Sequence, residues 1–213
     1  MKKSLLLFSA LFLLLPFRGS ASSRNNPLQP VASATSEDKT PPSYDMKPQA
    51  LLDLQGVHKK MVELATAIPA EKYNWRPEPG VRSISELFLH VSAANYNFPA
   101  MISGSTPAPG FKADGFESST TDKAKIIEQL NKSFAYAEAA IESMTNADFA
   151  KPEKKLGPDA NDGDVIYLLV VHNHEHLGQT IAYARFNGVT PPWTEEAQKK
   201  AKAAKDGGAP KQD

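Results

Sequence analysis

One long apolar stretch, residues 164–185, constrains the fold of this chain more than any other feature. It reads DVIYLLVVHNHEHLGQTIAYAR, is apolar on nearly every side, and has no Gly or Pro before Gly178. A stretch of this length is too long for one buried strand. It therefore predicts a helix that lies in the middle of a helical bundle.

Two histidines on this predicted helix share one face. His172 and His176 are four residues apart, so both imidazoles leave the helix on the same side, whereas His174 points away. Two imidazoles at this spacing can share one metal ion. In the alternative interpretation each is a core histidine bonded to a carbonyl or a water, and each unsatisfied nitrogen would then cost about 1–3 kcal/mol. The pair alone leaves both interpretations open.

The composition of the chain excludes several classes of function. The formal net charge is zero, and Lys and Arg are scattered except in the C-terminal tail, so we expect no nucleic-acid partner. The chain has no Cys, which excludes disulfides, a Cys-ligated zinc site and a Cys nucleophile. Any thiol chemistry would therefore need a thiol supplied by a small molecule.

Residues 1–21 have the pattern of a signal peptide. Lys2 and Lys3 precede an apolar run over residues 5–17, and small residues follow at 19–21. The run is short for a membrane span, and an uncleaved anchor is the alternative. We expect export to the periplasm or the medium, with membrane contact only through this segment. Residues 22–46 are rich in Ser, Pro and Asn and predict a disordered linker.

Apolar periodicity predicts three more long helices and a short one. The long ones cover residues 47–67, from Ser83 to about 103, and from Thr120 or Thr121 to about 144. The short one is a surface helix over about 194–205. No segment alternates with the period of a strand. The sequence therefore predicts an all-α four-helix bundle over residues 47–193, with a flexible N-terminal extension and a polar tail over 194–213.

Polar residues mark the ends of two of these helices. Ser83 and Glu86 form a capping box at the start of the second helix. Asp162 or Asp164 is expected to open the histidine helix, and Asn187 with Gly188 to close it.

Two further histidines lie on the predicted helices. His90 lies in the apolar middle of one face of the second helix. His58 lies beside the apolar stripe of the first, where we expect a boundary histidine half in solvent.

Three local segments share a pattern with one known family. They are NWRPEPGVRSISELFLHV at the second helix, HNHEHLGQ on the fourth, and YARFNGVTPP at its end. Together they resemble the DinB-like superfamily of metal-binding four-helix bundles, over residues 47–193. The resemblance implies one divalent metal, Zn or Ni, bound by His90, His172 and His176. Many members have a second His where this chain has Glu175, and we do not expect His174 to replace it as a ligand.

Three other side chains are candidates for orienting these imidazoles rather than binding the metal. Gln179 and Tyr183 lie one and two turns beyond His176 on the same face, and Glu86 lies one turn before His90. For Glu86 a capping role alone is the alternative, and for Gln179 a helix-packing amide.

The resemblance implies two classes of function. The studied members resemble thiol transferases that use bacillithiol or mycothiol, and a mycothiol-dependent maleylpyruvate isomerase. We therefore expect a metal-dependent enzyme that activates a water, as a hydrolase, or a low-molecular-weight thiol, as an S-transferase, toward a small-molecule substrate. The alternative is a non-catalytic, stress-related module in which the metal holds the second and fourth helices together. A homodimer is a further expectation.

Overall fold

The structure is a computed structural model that describes residues 45–206. These residues form five α-helices, joined by loops with short 3-10 turns. The helices are α1 (Met46–Ala67), α2 (Ile84–Asn97), α3 (Lys123–Ser143), α4 (Asp162–Phe186) and α5 (Pro192–Asp206). Between residues 45 and 206 there is no strand, only an isolated bridge between Pro152 and Asn161. The predicted signal peptide and nearly all of the predicted linker lie outside the described residues.

The first four helices pack as a bundle, which confirms the predicted fold. Helices α1 and α2 each pack against both α3 and α4. Their inward faces form one core, with side chains such as Leu54, Met61, Phe88, Phe134 and Leu169 fully buried. No helix within residues 45–206 has the length and apolarity that a membrane span requires.

Helices α1 and α3 run antiparallel, and each carries a lysine that caps the other. Lys47 at the start of α1 donates to the carbonyls of Glu142 and Met144, at the end of α3. Lys123 at the start of α3 donates to the carbonyls of Thr66 and Ile68, at the end of α1. The last carbonyls of a helix have no partner within the helix and attract cations, so each ammonium stabilises the neighbouring helix end.

Helix α4 is less enclosed than its sequence suggests. Tyr167, Leu168 and Val171 expose 64%, 38% and 41% of their surface. The expectation of a helix buried on nearly every side is therefore wrong, because α4 is one of four outer helices and keeps a solvent-facing side.

The ends of two helices also differ from the prediction. Helix α2 ends at Asn97, not near 103, because Pro99 has no N–H to continue the ladder and starts a 3-10 turn instead. The N-cap of α3 is Asp122, whose side chain accepts from the backbone of Lys125, rather than Thr120 or Thr121.

The ends of α4 follow the predicted signals closely. Helix α4 begins at Asp162, with a capping box between Asn161 and Asp164. Its C-cap is Asn187. Gly188 follows with a φ of 77°, a backbone conformation that residues with a Cβ rarely adopt.

Candidate metal centre

The bundle brings together three of the predicted site residues. His90 on α2 faces His172 and His176 on α4, and one ring nitrogen of each lies within 4.8 Å of the others. The Nε2 atoms of His90 and His172 are 3.1 Å apart. Hereafter these residues are the three-histidine site. That they bind a metal stays a prediction.

The remaining histidines lie apart from this site, as expected. His174 is exposed on the outer side of α4. His58 lies at the boundary of α1 and α3, where its ring stacks on Phe134 and contacts Glu138 and Asn131. Neither belongs to the group of converging imidazoles.

Capping at both helix starts helps to fix the site. Ser83 and Glu86 form the predicted capping box, in which Glu86 accepts from the backbone N–H of Ser83 at 2.7 Å. This box starts α2 fewer than two turns before His90. The box of Asn161 and Asp164 starts α4 in the same way, so both histidine-bearing helices have defined ends.

The outer nitrogens of two imidazoles are hydrogen-bonded to side chains. Nδ1 of His90 donates to Oε1 of Glu117 at 2.6 Å, and Nδ1 of His176 donates to Oε1 of Gln179 at 2.8 Å. In a neutral imidazole with the proton on Nδ1, Nε2 carries the lone pair, so these contacts orient Nε2 of His90 and of His176 as metal ligands. Gln179 also donates to the hydroxyl of Tyr183 at 3.1 Å, so Tyr183 acts on the imidazole only through Gln179.

Glu117 is the site residue that the sequence reasoning missed. It lies in the 3-10 turn Phe116–Ser118, within the long loop between α2 and α3. Arg82 donates to its carboxylate at 2.6 Å, and Phe116 packs against Phe111 and Tyr96, which anchors the turn to α2. Loop length was the only available signal, since long loops in compact bundles are often functional.

Glu86 does not contact an imidazole, although it was a candidate for orienting His90. Its carboxylate contacts the backbone of Ser83 and the guanidinium of Arg76, and the structure records no hydrogen bond from it to an imidazole in the described part of the chain. The carboxylate that does contact His90 is that of Glu117. The capping interpretation of Glu86 agrees with these contacts.

Burial favours the neutral forms of His172 and His176, and two hydrogen bonds favour an ionised Glu117. Burial, with smaller contributions from His176 and His90, lowers the pKa of His172 to about 4. Burial also lowers the pKa of His176, although its hydrogen bond with Gln179 opposes this. Burial alone would raise the pKa of Glu117, but the hydrogen bonds from Arg82 and His90 outweigh it and lower that pKa. Neutral imidazoles are the form that binds metals.

The donor set fits a divalent metal. Tetrahedral coordination with metal–nitrogen bonds of about 2.0–2.1 Å separates two ligand nitrogens by on the order of 3.3 Å, close to the 3.1 Å between His90 and His172. Within residues 45–206, Nε2 of His176 has no hydrogen-bond partner. An ion would satisfy the converging nitrogens together, and the Nδ1 contacts of His90 and His176 resemble those that orient metal-binding histidines.

A cleft of about 660 Å³ adjoins the three-histidine site. It is lined by Arg76, Gly80, Val81, Arg82, Glu86, Glu117, Ser118 and Gln179. Glu117 and Gln179, which bond two of the imidazoles, thus also face the cleft. A second pocket, of about 430 Å³, lies between the loop after α2 and the C-terminal half of α3. None of the three histidines lines either pocket, and only the first is lined by side chains that bond them. The first cleft is therefore linked to the three-histidine site through Glu117 and Gln179.

Comparisons with known proteins agree with this architecture. A family model of the DinB superfamily matches residues 53–180, more than half of the chain. No curated protein matches the sequence significantly.

Two solved structures share the fold. A DinB-like protein from Bacillus cereus superposes with a TM-score of 0.59 at 16% identity, over 68% of this chain and 95% of that one. YfiT from Bacillus subtilis, described as "a probable metal-dependent hydrolase with an unusual four-helix bundle topology", has a TM-score of 0.55 at 15% identity. That match covers 73% of this chain and 95% of YfiT. At these identities the likeness establishes the fold.

Proposed function

The chain belongs to the DinB superfamily, and on that premise we propose that it is an exported metal-dependent enzyme that acts on a small molecule. The observation that carries the proposal is the convergence of three imidazoles beside an open cleft, with Glu117 and Gln179 bonded to their outer nitrogens. The description of YfiT as a probable metal-dependent hydrolase adds support by analogy.

The residues of the site have distinct roles in this proposal. His90, His172 and His176 hold one divalent ion, which we propose to be Zn or Ni. Glu117 keeps the proton of His90 on Nδ1 and raises the basicity of its Nε2, and Gln179 orients His176 in the same way. Arg82 holds Glu117 in its ionised form.

Three protein ligands would leave a bound ion an open position, at which it would lower the pKa of a water to about 7 or hold a thiol as thiolate. The chain itself has no Cys. The attacking group is therefore a water in the hydrolase version of the proposal and an external low-molecular-weight thiol in the transferase version. We propose that either one enters through the cleft that Glu117 and Gln179 line.

The two versions can be separated in one assay. Protein stripped with a chelator and reloaded with Zn or Ni is tested against a panel of esters, amides and electrophiles, with and without a bacillithiol surrogate. Turnover that needs metal but no thiol supports the hydrolase, and turnover that needs both supports the transferase. His172→Ala should abolish either activity, and the matched variant His174→Ala should not. If the fully loaded protein turns over no substrate in either arm, the result favours the alternative function, a non-catalytic metal-binding module.

Export is tested independently of activity. The proposed signal peptide predicts that the mature chain begins near Ser22, which N-terminal sequencing of the exported protein would reveal. Recovery of an intact N-terminus in a membrane fraction would instead identify residues 5–17 as an anchor.

A further inference from the structure

A buried pair of asparagines joins the two helices that carry the histidines. Asn95 on α2 and Asn173 on α4 are both fully buried. Nδ2 of Asn173 donates to Oδ1 of Asn95 at 2.8 Å and to the carbonyl of Leu169 at 2.9 Å. Nδ2 of Asn95 makes a longer contact, of 3.4 Å, with Oγ of Ser133 on α3. The short bond between the amides is therefore a direct link between α2 and α4 in the core.

Stability does not explain why amides occupy these positions. Oδ1 of Asn173 is buried and has no hydrogen-bond partner within residues 45–206. A buried polar atom without a partner destabilises the folded state, and apolar side chains of similar volume in a core commonly do as well or better. A buried polar pair has one well-attested use, which is to fix the register of two helices.

The asparagine pair lies close in sequence to the histidines, so the register that it fixes also sets the positions of the imidazoles. Asn173 directly follows His172, and Asn95 lies five residues after His90 on the facing helix. The hydrophobic effect is non-directional, so it fixes the register of two helices less strictly than a hydrogen bond does, and one residue of slip moves a side chain about 1.5 Å along the axis. Metal–ligand distances must hold within about 0.2 Å. A directional bond close to the histidines restricts that sliding.

We propose that the Asn95–Asn173 hydrogen bond sets the axial register of α2 against α4 and so positions His90 opposite His172 and His176. The inference rests on the proposed metal site and makes the asparagines positioning residues, which touch neither the metal nor a substrate. It predicts that the pair determines metal affinity more than it determines stability.

The test replaces each amide with an apolar side chain of similar volume. Asn95→Leu, Asn173→Leu and the double variant are compared with wild type for zinc affinity, by chelator competition, and for the absorption spectrum of the cobalt-loaded protein. Each single variant should lose about tenfold or more in affinity and alter the spectrum. The zinc affinity of the double variant should be no lower than that of the weaker-binding single variant, because either change breaks the same hydrogen bond. The matched control is Ser133→Ala, which removes the longer contact and a bond from Oγ to the carbonyl of Leu130 within α3, and should stay within about twofold of wild type in zinc affinity.

A readout in the metal-free protein separates this inference from the proposed function. In wild type, the rings of His90 and His172 are close enough for a nuclear Overhauser effect between them, and the leucine variants should lose it while keeping their helical circular dichroism. If a leucine variant does not fold, the smaller changes Asn95→Ala and Asn173→Ala take its place.

The possible outcomes have different meanings. Wild type that binds no zinc contradicts the proposed function, and the ring contact then decides the register inference alone. Folded variants that keep the ring contact, the spectrum and an affinity within about twofold of wild type overturn the inference.

Discussion

Glu117 accepts a hydrogen bond from Nδ1 of His90 at 2.6 Å, across 27 residues of sequence. The same carboxylate pairs with Arg82, which precedes α2. A loop residue is thus held between an arginine and a candidate metal ligand, and the α2–α3 loop becomes part of the site. The pairing orients His90 and fixes its tautomer.

Loss of the Glu117 charge should weaken metal binding. Glu117→Gln removes the charge-assisted bond to His90, and we expect zinc affinity to fall about tenfold or more in chelator competition. The matched control is Glu86→Gln, in the same cleft, because Gln also completes a capping box and Glu86 bonds no imidazole in the described structure. Equal losses in the two variants would mean that cleft charge, rather than the contact with His90, sets the affinity.

Gln179 should act through its contact with His176. Gln179→Leu removes the acceptor for Nδ1 of His176, and zinc affinity should fall about tenfold, whereas Gln179→Glu keeps an acceptor and should retain tight binding. Tyr183→Phe removes only the hydroxyl that accepts from Gln179 and should lower zinc affinity less. Unchanged affinity in Gln179→Leu would leave Gln179 as a helix-packing amide.

Lys123 should stabilise the bundle through the end of α1. Lys123→Met leaves the carbonyls of Thr66 and Ile68 without this donor, and the free energy of unfolding in urea should fall by about 1 kcal/mol. Lys125→Met is the control, since that exposed side chain makes no ion pair or hydrogen bond within the described residues, and it should change stability by less than about 0.5 kcal/mol. Equal losses of stability in the two variants would mean that any positive charge near the start of α3 has this effect, whether or not it bonds the end of α1.

The stability of the metal-free protein should depend on pH through His172. Burial holds the pKa of His172 at about 4 in the folded state, against 6.5 for the free side chain. The unfolded chain therefore binds the proton more tightly, and the free energy of unfolding should fall as the pH drops from 6.5 to about 4. Above 6.5 this contribution is constant. Urea unfolding should be measured at several pH values over that range. The free energy of unfolding should change less steeply with pH in His172→Leu than in His174→Leu, and the same pH dependence in both would contradict the pKa assignment.

Much of this architecture follows from local sequence rules. The four bundle helices, the capping box of Ser83 and Glu86, and the shared face of His172 and His176 depend on residues close together in the chain. Helical periodicity and capping express such relations directly. The boundary errors are also local: apolar periodicity favoured an α2 that runs to about 103, with Pro99 as a kink or the start of its end, whereas the missing N–H of Pro99 ends the helix at Asn97.

The other parts of the site depend on contacts between distant segments. Glu117 reaches His90 only because its loop folds back onto α2, and nothing in the spacing around Glu117 marks it. Asn95 and Asn173 are 78 residues apart in sequence, and their hydrogen bond exists only once α2 and α4 are packed. The exposed side of α4 likewise depends on which faces its neighbours cover.

The most direct test of a metal centre built by three histidines is the metal content of the protein purified without a nickel column, measured alongside His172→Ala and His174→Ala. We expect one divalent ion per chain in the wild-type protein and in His174→Ala, and almost none in His172→Ala. Wild-type protein that takes up no zinc or nickel on loading, or a His174→Ala variant that loses metal as completely as His172→Ala, would contradict it.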